Sequence, residues 1–293
     1  MSAKSPLIIF SHGNSFPAST YGVMLRALHR RGYAVEAIEK YGHDPRYPVS
    51  SNWPYLVQQL ADFSTELCKK KDQGAFLVGH SLGGFLSLMC AATHPSLGGH
   101  RIRGVVLLDS PILGGWKAAA LSVAKRARLV GSISPGAVSR KRKQSWPSLA
   151  QARAHFQTKK LFTSWDPEVL RDYVEQGTQA LSTDPEGPRA LSFDRDIETA
   201  IYNTLPDNLE ALLRRHPLQC PAAFIGGRSS LEMRQVGLTL TQSVTHGRIM
   251  MLDGSHLFPM ERPEVTAAAV EAAVLNLMSL EPALGTQRIK PTN

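Results

Sequence analysis

The segment that most restricts how this chain can fold is Gly79-His80-Ser81-Leu82-Gly83-Gly84, set between the apolar run Ala75-Phe76-Leu77-Val78 and the helix-like run Phe85-Leu86-Ser87-Leu88-Met89. A short buried strand must here turn into a helix with almost no linker. The glycines flank a residue whose backbone bends so sharply that a Cβ beside it would strike the neighbouring strand or helix. A G-x-S-x-G turn of this kind, a nucleophile elbow, lifts its serine above the end of a sheet. The hydroxyl then lies beside the free N–H groups of a helix start, which can hold a developing oxyanion. Ser81 is therefore a candidate covalent nucleophile. The other reading is a glycine-rich turn whose serine merely caps the helix.

The flanking sequence repeats the strand-then-helix rhythm. Pro6-Leu7-Ile8-Ile9-Phe10 is a continuous apolar run that stops at Ser11-His12-Gly13 and reads as a strand buried on both faces. Tyr21, Met24, Leu25 and Leu28 follow at helical spacing, with Gly32 as the stop. Tyr33 to Ile38 gives a second strand, 40–52 a long polar loop, and Leu56, Leu60, Phe63 and Leu67 one face of a helix closing in three lysines. Beyond the elbow, Gly104 to Leu108 predicts a buried strand that ends at Asp109. Strands alternating with amphipathic helices specify a mostly parallel sheet flanked by helices, an α/β fold.

From about Leu113 to Arg215 no strand-like run is evident, and the segment reads as a helical insertion. The sheet resumes with Pro221 to Ile225 and Arg248 to Leu252, and a helix carrying Val265, Val270, Val274 and Leu277 follows; the tail from Glu281 to Asn293 carries little apolar material and is expected to fray. Asp253-Gly254-Ser255-His256 follows the last strand, which brings His256 to the same carboxyl edge as Ser81. Open α/β sheets place their ligands along that edge. A serine hydroxyl is a poor nucleophile at neutral pH, and an imidazole is the side chain best suited to take its proton and return it to a leaving group. His256 is the candidate base.

These motifs together resemble the α/β-hydrolase superfamily. The similarity runs through roughly Pro6 to Ser110 and Leu218 to Leu280 and rests on Ser11-His12-Gly13-Asn14, on the Gly79 to Gly84 elbow, and on Gly254-Ser255-His256-Leu257-Phe258 followed by Glu261-Arg262-Pro263. It implies an α/β-hydrolase core made of residues 1–110 and 216–293, with 111–215 as a helical cap or lid. It also implies an oxyanion hole from the backbone N–H groups of Asn14 and Leu82, with the Asn14 side-chain amide as a further donor. The triad acid departs from the commonest family pattern, because the stretch that usually carries it reads Gly226-Gly227-Arg228-Ser229-Ser230-Leu231-Glu232, without an aspartate. A second group in the superfamily takes the acid from the end of the strand after the elbow helix, which here is Asp109. Glu232 is the runner-up. Asp253 lies too near His256 along the chain to orient it.

By this resemblance the expected activity is that of a serine hydrolase, with ester hydrolysis through an acyl-enzyme as the default. Thioester hydrolysis, acyl transfer, carbon–carbon bond hydrolysis and perhydrolysis would use the same residues, and a non-enzymatic ligand-binding protein is the alternative outside enzymology. No cofactor is implied, and the histidines lack the i, i+4 spacing of a helical zinc site. Cys68, Cys90 and Cys220 are odd in number and far apart, which suits reduced thiols and a cytoplasmic address. No secretory leader and no membrane-spanning run is expected. The formal charge of +9 owes much to Lys125, Arg126, Arg128, Arg140, Lys141, Arg142 and Lys143. Without a nucleic-acid motif this cluster reads as a solvated face, with an anionic substrate as the other possibility. The expected partner is a small-molecule substrate, not nucleic acid, and a homodimer is left open. Trp116, Phe156, Phe162, Trp165 and Tyr173 are candidates to line the cap or pack it down, and His43 and Asp44 to approach the rim of the site.

Overall fold

The computed structural model describes residues 4–126 and 139–280. Six apolar runs form one parallel sheet: β1 (Leu7–Ser11), β2 (Ala34–Ala37), β3 (Ala75–His80), β4 (Gly104–Leu108), β5 (Ala222–Gly227) and β6 (Ile249–Leu252). Their spatial order is β6-β5-β4-β3-β1-β2. The four central strands are buried along their whole length, whereas the edge strands β2 and β6 are mostly half-exposed. That is why the central strands carry continuous apolar runs and not alternating ones.

Register places the functional loops. Ser11 pairs with Gly79, His80 with Leu108, Leu108 with Ile225, and Gly227 with Leu252. The carboxyl ends of these five strands therefore lie level along one edge. Alternate residues feed two cores. Ile8, Phe10, Phe76, Val78, Val106 and Ile225 face α1 (Gly22–Arg30) and the final helix Pro263–Met278. Leu7, Ile9, Leu77, Leu107 and Phe224 face α2 (Pro54–Lys71) and α3 (Leu82–Thr93). All three cysteines are free and buried.

The segment between β4 and β5 corrects one expectation. It holds helices at Gly115–Arg126, Leu149–Gln157, Pro167–Gln176, Arg195–Asn203 and Leu209–Arg215, but also a three-stranded antiparallel sheet of Ser145–Trp146, Arg189–Leu191 and Thr178–Ala180. Strands of two or three residues are too short to leave a period-two signature, so the sequence reads as strandless there. Trp146, Phe156, Phe162, Trp165 and Tyr173 pack together into the core on the α1 face. Of the sequence candidates in this segment, Arg128 and the side chains of Trp116 and Arg126 lie outside the described residues, as does the tail 281–293.

The elbow tolerates no extra carbon. A Cβ at Gly79 would sit 2.1 Å from the Gly83 carbonyl oxygen, and one at Gly83 would sit 2.0 Å from that of Ser11. Both obstacles are backbone and cannot rotate away. Gly83→Ala is therefore expected to lower stability by about 3 kcal/mol, the upper range for overpacking a close-packed site. The urea midpoint measures this, and a loss below about 1 kcal/mol would show that the turn can relax.

Candidate active site

Ser81 leaves β3 with φ 52° and ψ −115° and serves as the N-cap residue of α3 without a side-chain capping bond. Its backbone is pinned instead: its N–H donates to the Leu108 carbonyl at 3.0 Å, and its own carbonyl accepts from Gly84 N–H at 3.1 Å and from Ser110 Oγ at 2.9 Å. A non-glycine residue at such a φ costs on the order of 1–3 kcal/mol and persists only where its surroundings over-determine it. The hydroxyl is left uncommitted, with no hydrogen bond among the described residues, His256 included. Free enzymes often hold such pairs loosely and close them on the substrate.

His256 and Asp109 meet at the same edge of the sheet. The Nδ1–H of His256 donates to Asp109 Oδ2 at 2.7 Å. Asp109 also stands at positive φ, 45°, directly after β4. Its buried carboxylate accepts two further bonds, from Gly227 N–H to Oδ1 at 2.8 Å and from Ser230 Oγ to Oδ2 at 2.5 Å. Three donors compensate the carboxylate for its removal from water. Glu232 Oε2 lies 3.9 Å from His256 Nδ1 and 3.4 Å from Ser230 Oγ, and its side chain is half-exposed. Geometry therefore gives the direct bond to Asp109 and leaves Glu232 as a second charge nearby. Burial disfavours the charged imidazole, but the hydrogen bond with Asp109 and the charges of Glu232 and Asp109 outweigh it and hold His256 above the ordinary histidine value. Asp253 pairs with Arg228 at 3.1 Å, away from the imidazole.

The turn after β1 faces the start of α3. Gly13 packs against the His80 ring, where a Cβ would come within 2.8 Å of Nδ1. Leu82 opens α3, so its N–H has no partner within the helix. The Asn14 side-chain amide, the alternative donor, is committed elsewhere: Nδ2 donates to the Glu198 carbonyl at 3.0 Å. Ser15, at φ 77°, donates through Oγ to the Glu198 carboxylate. Glu198 in turn pairs with Arg142 at 3.1 Å, and Arg142 also donates to Tyr173 Oη. A buried ionic group thus ties the segment between β4 and β5 to the turn after β1.

That finding revises the basic cluster. Arg142 is drawn inside by Glu198, and Lys125 pairs with Asp207 at 3.3 Å with both side chains nearly buried. Arg140, Lys141 and Lys143 remain exposed, so only part of the run is a solvated face. His43 and Asp44 are also occupied structurally. His43 Nδ1–H donates to the Tyr41 carbonyl and Nε2 accepts from Asp194 N–H, while Asp44 binds Arg46. They line an open cleft of about 390 Å³ between the 42–49 loop and Asp194–Ala200, to which Ser81, Asp109 and His256 contribute nothing.

Two participants escaped the sequence reading. Ser230 was visible only as an N-cap signal ahead of Leu231 and Glu232, and in the structure the same hydroxyl both accepts from Met233 N–H and donates to Asp109. Glu198 carried no local signal, since its partners Asn14 and Ser15 lie 184 and 183 residues away. Among the described residues, Asp109, Glu232 and His256 form a group close enough together to ligate a metal ion. The His256–Asp109 bond and the Ser230 donor already occupy that space.

Because the neutral imidazole loses its raised affinity for protons when either carboxylate is neutralised, His256 is expected to titrate above 6.5 in the wild type and lower in Glu232→Gln. Histidine NMR titration reads both, and a Glu232→Gln pKa at or above the wild-type value would remove Glu232 from the electrostatics of the site.

Known proteins share this fold. A non-heme haloperoxidase name is carried by a protein of Mycobacterium phage D29 that is 24% identical over 281 residues, covering 92% of this chain and 88% of the relative. Among solved structures, an E-2-(acetamidomethylene)succinate hydrolase is similar with a TM-score of 0.67 at 22% identity, covering 92% of this chain and 91% of its own. The thioesterase domain from the curacin biosynthetic pathway is similar with a TM-score of 0.66 at 20% identity, covering 92% of each chain. The model of the alpha/beta hydrolase family matches residues 8–269, nearly the whole of the described chain, and this protein, with its parallel sheet and glycine-bound elbow, belongs to that family.

Proposed function

We propose that the protein is a serine hydrolase that cleaves a carboxylic ester of a small or medium-sized substrate, with Ser81 as nucleophile, His256 as base and Asp109 as the acid of the triad. The observation that carries this reading is the 2.7 Å bond from His256 Nδ1–H to the buried Asp109 carboxylate, on the same sheet edge as an elbow serine whose hydroxyl is uncommitted. Asp109 fixes the tautomer, so Nε2 is the free basic nitrogen, and it stabilises the imidazolium formed during the reaction.

In the first step His256 Nε2 takes the Ser81 proton while Oγ bonds to the ester carbonyl carbon. The carbonyl electron pair moves onto oxygen, to which the Asn14 and Leu82 backbone N–H groups donate as an oxyanion hole. Collapse re-forms the carbonyl and breaks the bond to the alkoxy oxygen, which leaves as alcohol with the proton held by His256. Water, deprotonated by the same imidazole, then attacks the acyl carbon; the bond to Ser81 Oγ breaks, Oγ takes the proton back from His256, and the acid is released. Residues 111–215 act as the cap, an assignment supported by the contact of Glu198 with the turn that carries Asn14 and Ser15. A thioesterase or carbon–carbon bond hydrolase would use the same residues, and one similar solved structure bears the name of a thioesterase domain.

A fluorophosphonate probe tests the nucleophile directly. The wild type is expected to be labelled on Ser81, and Ser81→Ala and His256→Ala to remain unlabelled; a folded wild type that resists the probe would sink the proposal. For the acid, Asp109→Asn is expected to slow acylation by roughly 10³- to 10⁴-fold through loss of the correct tautomer, and Glu232→Gln by less than about tenfold. The reverse ranking would hand the role to Glu232. Esters of graded acyl length assayed beside thioesters then separate the two acyl chemistries.

A further inference from the structure

His80, the residue before the nucleophile, is not used in the reaction just described, yet it is completely buried between the parts that are. Its two ring nitrogens are both engaged. Nε2 lies 2.9 Å from the backbone carbonyl of His256, and Nδ1 lies 2.7 Å from Tyr21 Oη. Tyr21 Oη in turn lies 2.9 Å from the Gly13 N–H. For a neutral ring only one assignment of protons satisfies all three bonds. A carbonyl can only accept, so Nε2 must carry the proton. A neutral ring then has a bare Nδ1, which must accept from the Tyr21 hydroxyl, and the tyrosine oxygen is left to accept from Gly13 N–H.

The result is a directed chain, Gly13 N–H to Tyr21 O–H to His80 to the His256 carbonyl. It links the turn after β1, the elbow and the loop of the base. The His80 and His256 rings also lie 4.9 Å apart between centroids. We propose that His80 is a positioning residue, a neutral Nε2–H imidazole that holds the His256 main chain in register with Ser81 and with the oxyanion turn. This rests on the reading of His256 as the base.

Several facts agree with it. The groups facing the ring are Tyr21, His256, Asp109 and His12, and the ring is fully enclosed. Desolvation, followed by the neighbouring His256 charge, lowers His80 to about 3, which keeps it neutral while His256 gains and loses a proton beside it. A charged His80 would have two donors, and its Nδ1–H would face the Tyr21 hydroxyl that now donates to it. Gly13 owes its identity to this chain, because a Cβ there would lie 2.8 Å from His80 Nδ1 and 3.0 Å from Tyr21 Oη.

Two measurements test the inference. In ¹⁵N-labelled wild type, His80 should show the Nε2–H tautomer and should not titrate between pH 5 and 8. A His80 that titrates in this range, or that shows the Nδ1–H tautomer, overturns the proposal without reference to activity. In the second arm, fluorophosphonate acylation is compared across H80Q, H80N and Y21F. Gln places an amide N–H near the position of Nε2 and should recover most of the rate, while Asn offers an acceptor near Nδ1 but no donor to His256. H80N should therefore acylate at least about tenfold more slowly, as expected when a reacting group drifts by a fraction of an ångström to one ångström. Y21F, which frees Gly13 N–H and Nδ1, should fall between them. Equal rates for H80N and wild type overturn this inference and leave the hydrolase reading intact. An unlabelled wild type overturns both.

Discussion

The carboxylate of Asp109 is the joint on which the site depends. It leaves β4, takes the Gly227 N–H from the end of β5, the Ser230 hydroxyl from the turn beyond, and the His256 Nδ1–H from the loop after β6. One buried charge thereby gathers three neighbouring strand ends. Removing any donor would leave part of that charge unsatisfied in a place water does not reach, so the loops are held to it more firmly than their own packing requires.

A second buried charge does similar service on the other side. Glu198 accepts from Ser15 and Arg142 through its carboxylate and from Asn14 through its carbonyl. Deleting one partner of a buried ion pair strands the other, at a cost of about 3–5 kcal/mol. The segment between β4 and β5 is accordingly not a loose appendage. It is fastened to the turn after β1 by charge and to the α1 face by a cluster of aromatic rings that includes Phe16, Trp165 and Tyr173.

How much of this was legible in the sequence follows the range of the interactions. The four central strands show as apolar runs because burial on both faces removes alternation, and the elbow shows because backbone contact at Gly79 and Gly83 excludes every other residue type. The direction of the parallel strands then brings residues 14, 81, 109 and 256 to one edge without any further information. What could not be read depends on partners far along the chain. Nothing near Glu198 announces Asn14 or Ser15, and nothing near Tyr21 announces His80, 59 residues on. The basic run is a solvated face only in part for the same reason, since Arg142 and Lys125 look like solvated cations until Glu198 and Asp207 are seen beside them. The short strands of the insertion, two or three residues each, lie below the length at which alternation means anything.

Ser81 and Asp109 both sit at positive φ, where an L side chain is under strain and glycine or asparagine is at ease. At Asp109 the three bonds to the carboxylate offset that strain, but the Ser81 hydroxyl makes no such bond among the described residues, and a chain drifting under selection for stability alone would settle on glycine there. Serine at position 81 therefore marks a place where the fold is held away from its own optimum.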